Sequence, residues 1–189
     1  MKESDSNIDI QTQEKKLLQM SEISLWLDSY DDIFSDFDPR PLSQRALSED
    51  FLEEAKRASK DKVGGAIELK LLLAEKNRDR NKEKTIKKRL RDHFKRHCDL
   101  LEKEKAGIIK QGVIFGIIGI MMMLLAVFIV VNYAQGGMLT SFLIILLEPG
   151  GWYFLWSGLD LIVFKPKTLY PDLDFYKKMT ASSIEFVSY

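Results

Sequence analysis

The strongest constraint on this chain is a stretch of twenty residues without a charge, Gly112–Val131. At a rise of about 1.5 Å per residue, a helix of that length spans about 30 Å, the hydrocarbon thickness of a bilayer. A second apolar stretch, Leu139–Phe164, follows the short polar turn Asn132–Met138. Core helices of soluble proteins are seldom this long and free of charge. The sequence therefore predicts an integral membrane protein with an antiparallel transmembrane hairpin over residues 111–164, with spans at 112–131 and 139–164.

The charges around the hairpin predict its orientation. Between Lys76 and Lys110 the chain has fourteen Lys or Arg and six Asp or Glu, a net charge of +8, whereas the turn has neither Lys nor Arg. Positively charged segments that flank membrane helices stay on the cytoplasmic side. We therefore expect both termini in the cytoplasm, where the lone Cys98 stays reduced. Residues 1–55 have the opposite charge, with fourteen acids and five bases, a net charge of −9.

Outside the hairpin, the chain is long enough for one small domain with its own core. We expect a mobile N-terminal arm over residues 1–20 and a cytoplasmic domain with a basic juxtamembrane helix over residues 21–110. Apolar and polar residues alternate in Glu22–Asp28 and in Ala66–Leu73. This alternation predicts two strands.

Helical periodicity predicts one helix that ends near Lys60 and a second from Glu83 to about Lys105. After it, Ala106 and Gly107 form either a hinge or part of a helix that continues unbroken into the first span. The cytoplasmic tail, residues 165–189, contains Pro166 and Pro171, which favour an extended segment. Its last residues are rich in β-formers and are expected to return to the sheet as a third strand. The predicted fold class is an α/β cytoplasmic domain, a small mixed sheet with helices, joined to a two-helix transmembrane hairpin.

Glu148 is the ionisable residue that lies deepest within the predicted spans. On a helix it lies about 14 Å from Leu139, near the middle of a bilayer, where an isolated carboxylate is unfavourable. Pro149, Gly150 and Gly151 follow it and loosen the helix. In an oligomer, these four residues are expected to line a pore with a ring of carboxylates, as in cation-selective channels. A kink with a hydrogen-bonded, neutral Glu148 and a re-entrant segment are the two alternatives.

Small residues recur in the first span at Gly112, Gly116 and Gly119. Their spacing matches the small-xxx-small pattern that lets membrane helices approach closely. We therefore expect these glycines at helix contacts, and we expect a homo-oligomer in the lipid bilayer.

The segment Lys82–Arg96 is strongly basic and has three candidate partners. Anionic lipid headgroups require only charge, and the acidic loop Asp28–Asp38 offers an intramolecular match. Nucleic acid or a phosphate-rich ligand is the third candidate, although no base-reading motif accompanies the cations. The predicted ligand- or lipid-binding set is Lys87, Lys88, Arg89, Arg91, Lys95, Arg96, Arg40 and Arg45.

No motif in the sequence supports catalysis. There is no GxSxG nucleophile elbow, Walker loop, GxGxxG or CxxC. His93 and His97 share a helix face near Cys98, but there is no HExxH pattern and the surrounding cations disfavour a metal ion. We therefore expect no enzymatic activity, no catalytic residue, no metal and no cofactor.

Three stretches resemble small bacterial membrane proteins with two spans: Phe37–Glu54, the basic run KKRLRDHFKRH, and Glu148–Phe164. The layout is also similar to two-span membrane effectors of bacterial antiphage defence, including the channel partner of the Hailong system. In that system a nucleotidyltransferase makes an oligonucleotide that controls an oligomeric channel through its cytoplasmic part. The resemblance implies an inner-membrane location and a nucleotide or oligonucleotide ligand for the cytoplasmic domain.

These observations predict an oligomeric membrane pore that is gated through its cytoplasmic domain. The alternative is a non-conducting anchor that recruits a soluble protein partner to the inner membrane face. Replacement of Glu148 by Gln separates the two functions, because it should alter ion flux in a pore but only stability in an anchor.

Overall fold

A computed structural model describes residues 22–60, 62, 67–133 and 136–189, so the predicted mobile arm, residues 1–20, lies outside the described residues. The chain divides into two compact units. The sheet unit comprises residues 1–98 and 174–189, and the hairpin unit comprises residues 99–173. The elements are β1 (Glu22–Leu27), α1 (Glu49–Lys60), β2 (Glu68–Leu73), α2 (Arg80–Asn132), α3 (Met138–Val163), α4 (Lys165–Ala181) and β3 (Ser183–Ser188), with short 3-10 turns at Tyr30–Ile33 and Glu75–Asn77.

The three strands form one parallel sheet in the order β1-β2-β3. Ile23 is paired with Leu69, and Leu69 with Ile184, so these three side chains share a face. The predicted small α/β fold is therefore present, but the predicted mixed sheet is wrong. The reason lies in the connections: helices link β1 to β2 and β2 to β3, and helical crossovers return the chain in the same direction.

Among the residues that the structure describes, every helix that packs on the sheet covers the same face. With strands in sequential order, both crossovers step in the same direction, and right-handed crossovers then place all their helices on one side. The burial pattern agrees, since alternate strand residues are buried and those between them are not. The core on this face includes Leu25, Leu71 and Phe186 from the strands, Phe51 and Ala55 from α1, Ile86, Leu90 and Phe94 from α2, and Phe175 and Met179 from α4.

The tail after the second apolar helix is helical, so its predicted extended conformation is wrong. Pro166 is the second residue of α4, where a helix requires no backbone N–H. Pro171 lies further inside α4 and removes only one helical hydrogen bond. The predicted return of the chain to the sheet is present, because β3 pairs with β2 along its whole length.

The basic helix begins earlier than the pattern indicated, and of the two possibilities at its other end the structure has the unbroken helix. It begins at Arg80 because the Asp79 carboxylate accepts hydrogen bonds from the backbone N–H groups of Asn81 and Lys82, at 2.9 and 3.3 Å. It then continues without a break at Gly107 to Asn132. The second apolar helix, α3, is also continuous, with Pro149 inside it.

The hairpin unit has an apolar surface. Its two helices are long and apolar enough to cross a membrane, and most of their large apolar side chains are exposed. This exposure is opposite to the burial expected of core helices in a soluble protein. The unit is therefore compatible with a pair of transmembrane helices.

Candidate functional site

Glycines on both helices of the hairpin unit bring the two backbones together. A Cβ atom added at Gly119 would lie 2.7 Å from the carbonyl oxygen of Gly151. One added at Gly112 would lie 2.8 Å from the carbonyl oxygen of Gly158, and one at Gly158 would lie 2.7 Å from the Gly116 nitrogen. The predicted packing glycines of α2 therefore lie against α3 of the same chain, and a larger side chain at Gly112 or Gly119 would force the helices apart.

Glu148 lies on the outer surface of α3 rather than between the two helices. Its side chain is exposed, and it has no hydrogen bond or ion pair with any residue that the structure describes. A groove of about 510 Å³ lies beside it, lined also by Ala126, Val127, Pro149 and Trp152, and by Met123. The interhelical hydrogen bond expected for a kink is thus not seen in the described part of the chain.

Glu148 is the first of four exposed residues spaced four apart on α3, followed by Trp152, Trp156 and Asp160. This spacing places them on one ridge of the helix. The two indole rings are stacked, with centroids 6.3 Å apart and an interplanar angle of 20°. The sequence interpretation singled out Glu148 alone and missed the ridge, which the interval of four could have indicated.

The other predicted pore-lining residues have different surroundings. Gly151 is buried, and a Cβ atom there would meet Met123 and the Gly119 carbonyl oxygen, so this residue belongs to the contact between α2 and α3. Gly150 lies beside the Met122 side chain. Only Glu148 and Pro149 are exposed, and both line the groove.

The eight predicted anion-binding residues do not form one site. Arg45 pairs with Asp31 at 2.7 Å, and Arg40 pairs with Asp38 at 2.7 Å. The Arg40 guanidinium lowers the pKa of the Asp38 carboxyl well below its ordinary value. Arg45 also lies 3.9 Å from Asp36, so three of the five aspartates of the acidic loop have arginine partners from the neighbouring sequence.

The predicted binding residues on α2 fall into two groups, those that contact the rest of the sheet unit and those that are exposed. Arg89 donates a hydrogen bond to the Arg45 carbonyl oxygen at 3.0 Å, and Lys87 lies over the Phe186 ring at 5.8 Å. Lys88, Arg91, Lys95 and Arg96 are exposed, and none of them has a hydrogen bond or ion pair with a described residue.

A buried polar network at the carboxyl ends of the strands was missed by the sequence analysis. Glu83 is only 6% exposed, and Arg78 donates to its two carboxylate oxygens at 2.8 and 3.1 Å. Arg78 also donates to the Phe186 carbonyl oxygen, and the Tyr30 hydroxyl donates to Glu83 at 3.2 Å. The hydrogen bonds from Arg78 lower the pKa of Glu83 despite its burial. The network fastens the first turn of α2 to the ends of β1 and β3.

The two histidines of α2 pack against α4. Their rings lie 4.2 Å apart, and the Tyr176 ring is stacked on His97 at 5.2 Å. The buried His93 Nε2 has no hydrogen-bond partner among the described residues. Burial, with the charges of His97, Arg89 and Arg96, lowers the pKa of His93 to about 4. Within the described part of the chain, no group of three side chains is arranged to hold a metal ion.

Fold and site together define a parallel three-stranded α/β unit whose second crossover carries a long apolar helical hairpin. Comparisons with protein-family models, with curated proteins and with solved structures found no match to this chain. The resemblance to two-span bacterial effectors therefore stays a prediction from the sequence.

Proposed function

We propose that this is an integral membrane protein whose α2–α3 hairpin assembles into an oligomeric pore. The observation that carries the proposal is the exposed carboxylate of Glu148, within a helix long and apolar enough to span a bilayer. A carboxylate that faces hydrocarbon is strongly unfavourable, so Glu148 must face water or protein. Since no described residue of its own chain contacts it through a hydrogen bond or ion pair, other copies and water supply that environment.

The ridge on α3 and the groove beside it provide the surfaces for assembly. Helices in contact place the i±4 ridge of one into a groove of another. The stacked Trp152 and Trp156 form the broad apolar part of this ridge, and Ala126 keeps the groove beside Glu148 open. In a ring of copies, Glu148 repeats around the axis as a ring of carboxylates, which favours cations.

In this proposal the sheet unit is the regulatory part, on the cytoplasmic side of a bacterial inner membrane. The positive charge between Lys76 and Lys110 supports this orientation. Because α2 is one helix of 53 residues, a signal received by its first part passes to its second part through the backbone. The resemblance suggests a nucleotide or oligonucleotide in bacterial defence as that signal.

Ion flux through liposomes tests the pore. We would compare the native protein with Glu148→Gln and with Asp160→Asn, which removes the carboxylate near the other end of the same ridge. We expect cation flux from the native protein, altered by the Glu148 substitution and changed much less by the Asp160 substitution. Absence of flux from folded, oligomeric protein at strong membrane potentials of either sign would overturn the proposal.

A non-conducting membrane anchor is the second candidate. The face of the sheet that no described helix covers favours it, because a parallel sheet is normally covered on both faces and a soluble partner could supply the cover. In an anchor, Glu148→Gln changes the stability of the hairpin unit and leaves the liposomes impermeable. Flux and stability measured on the same preparations therefore separate the two functions.

A further inference from the structure

The face of the sheet opposite the helices has a regular arrangement of side chains. In register across the three strands, its first row is Glu22, Glu68 and Ser183, and its second is Ser24, Lys70 and Glu185. The third row is apolar and consists of Trp26, Leu72 and Val187, with the Tyr189 ring 4.0 Å from the ring of Trp26.

This face is acidic at one end and apolar at the other. Lys70 pairs with Glu22 at 2.9 Å and with Glu68 at 3.5 Å, whereas Glu185 is exposed and has no ion pair among the described residues. Three carboxylates and one ammonium give it a net charge of −2. Trp26 is 67% exposed, although a tryptophan on a parallel sheet would ordinarily be covered.

The outer surface of α2 has the opposite charge. Lys84, Lys88, Arg91 and Lys95 lie within about 60° of one another around the helix. All four are exposed and have no ion pair with a described residue, and the acids beside them on the helix are Asp92 and Asp99. We call these four residues the basic stripe.

The two surfaces also match in size. The stripe is about 17 Å long at 1.5 Å per residue, and a six-residue strand is about 17 Å long at 3.3 Å per residue. Two strand spacings measure about 10 Å, which is the width of one helix. The open face therefore accommodates a single helix lying along the strands.

We propose that the open face of the sheet binds the basic stripe of α2 from a second copy of this chain. The cations of the stripe pair with the acidic rows. Arg91 and the aliphatic parts of the lysines cover Trp26 and Tyr189, as guanidinium groups and lysine stems do on aromatic rings. The contact gives the sheet the second helical layer that its own topology cannot supply.

Because the two surfaces are different, the contact is head-to-tail and repeats from copy to copy. Such a contact closes into a ring when the rotation between copies permits it. The inference rests on the proposed oligomer and adds to it the surfaces that hold the sheet units together. Copies anchored in one membrane meet at a high effective concentration, which favours a contact of this modest area.

Cysteine cross-linking in native membranes tests the contact. Glu185→Cys and Lys88→Cys are made separately in a Cys98→Ser background, with two different tags, and are expressed alone and together. We expect a cross-linked dimer that carries both tags only on co-expression. Cross-linking of Glu185→Cys with itself would show a face-to-face dimer and overturn the proposal, as would the absence of any cross-link.

Charge exchange provides the second readout. Glu185→Lys should reduce the oligomer, and Lys88→Glu in the same chain should restore it, whereas Glu53→Lys on the exposed side of α1 should have no effect. Equal loss from Glu185→Lys and Glu53→Lys, or no restoration by Lys88→Glu, would contradict the pairing. Cross-linking without ion flux would support the contact between sheet units and exclude the pore. Ion flux that Glu148→Gln alters, without any cross-link, would support the pore and exclude this contact.

Discussion

The two parts of helix α2 are held by different forces. In the sheet unit, Ile86, Leu90 and Phe94 recur every four residues on one buried face, and the rest of the helix is polar. From Gly112 onward the helix is apolar all round, most of its large side chains are exposed, and its closest contacts with α3 are made at glycines. The first part is stabilised by removal of apolar surface from water. The second depends on close approach of two backbones, as expected where lipid replaces water.

This difference predicts that the hairpin unit is most sensitive where its side chains are smallest. We expect Gly119→Leu to destabilise the hairpin by about 4 kcal/mol or to separate its helices, because the Cβ atom would meet the Gly151 backbone at 2.7 Å. Denaturation in detergent, followed by the fluorescence of Trp152 and Trp156, measures the change. Gly119→Ala and Gly116→Ala form the matched pair, since each adds one methyl group and nothing lies within 4 Å of the new Cβ atom at Gly116. Equal loss of stability from substitution at the two glycines would contradict the backbone contact at Gly119.

The sheet unit should respond in the opposite way, to loss of side-chain volume. Leu90 is completely buried, and we expect Leu90→Ala to lower the free energy of unfolding by about 3 kcal/mol. Leu124, on the same helix, is 63% exposed, so Leu124→Ala should change stability by less than about 0.5 kcal/mol in detergent. The two variants are compared by chemical denaturation of the full chain. Similar losses of stability from the two variants would show that the second part of α2 is also buried. The two parts of the helix would then not be held by different forces.

Loss of the buried ion pair should have a smaller effect than loss of core volume. Arg78→Ala leaves the Glu83 carboxylate buried without its main partner, and we expect a loss of about 2 kcal/mol. Arg57→Ala removes an exposed pair with Glu54, at 3.2 Å, and should cost at most about 0.5 kcal/mol. Thermal unfolding of the native protein and the two variants measures both losses of stability. If Arg78→Ala proved as mild as Arg57→Ala, the network would not fasten α2 to the sheet.

Periodicity predicted those elements whose stability depends on one buried face. The alternation in Glu22–Asp28 and Ala66–Leu73 predicted β1 and β2, because each strand buries every second residue against a single layer of helices. The direction of the strands depends on what connects them, and the tail had been interpreted as extended. Once α4 is recognised as a helix, both connections are helical and the parallel sheet follows.

The candidate site was predicted less completely, because it depends on which surfaces remain uncovered. The sequence indicated Glu148 through its depth in an apolar stretch, and the structure describes it on an exposed ridge. It could not indicate that Arg45 pairs with Asp31, or that Arg78 reaches Glu83, since such pairs depend on the folded loops. Nor could it indicate that both crossovers cover one face and leave Trp26 exposed, which requires the strand order.

The smallest predicted effect concerns acid and the contact between α2 and α4. The pKa of His93 is lowered from 6.5 to about 4 in the folded protein, first by burial and then by the charges of His97, Arg89 and Arg96. The unfolded chain therefore takes up this proton first as the pH falls. Stability is complete above about pH 6.5 and declines until about pH 4. Because His93 is only half-buried, we expect a loss of about 1 kcal/mol over this range.

His93→Phe keeps a ring in the same place and removes the titration. We expect the difference in unfolding free energy between the native protein and this variant to shrink or reverse as the pH falls from 6.5 to 4, while the carboxylates titrate equally in both. His97→Gln should reproduce a smaller part of the effect, because burial also lowers the pKa of His97. Parallel stability curves for the native protein and His93→Phe would show that the His93 ring is hydrated in the folded state. The acid response of the sheet unit would then come from its carboxylates rather than from the α2–α4 contact.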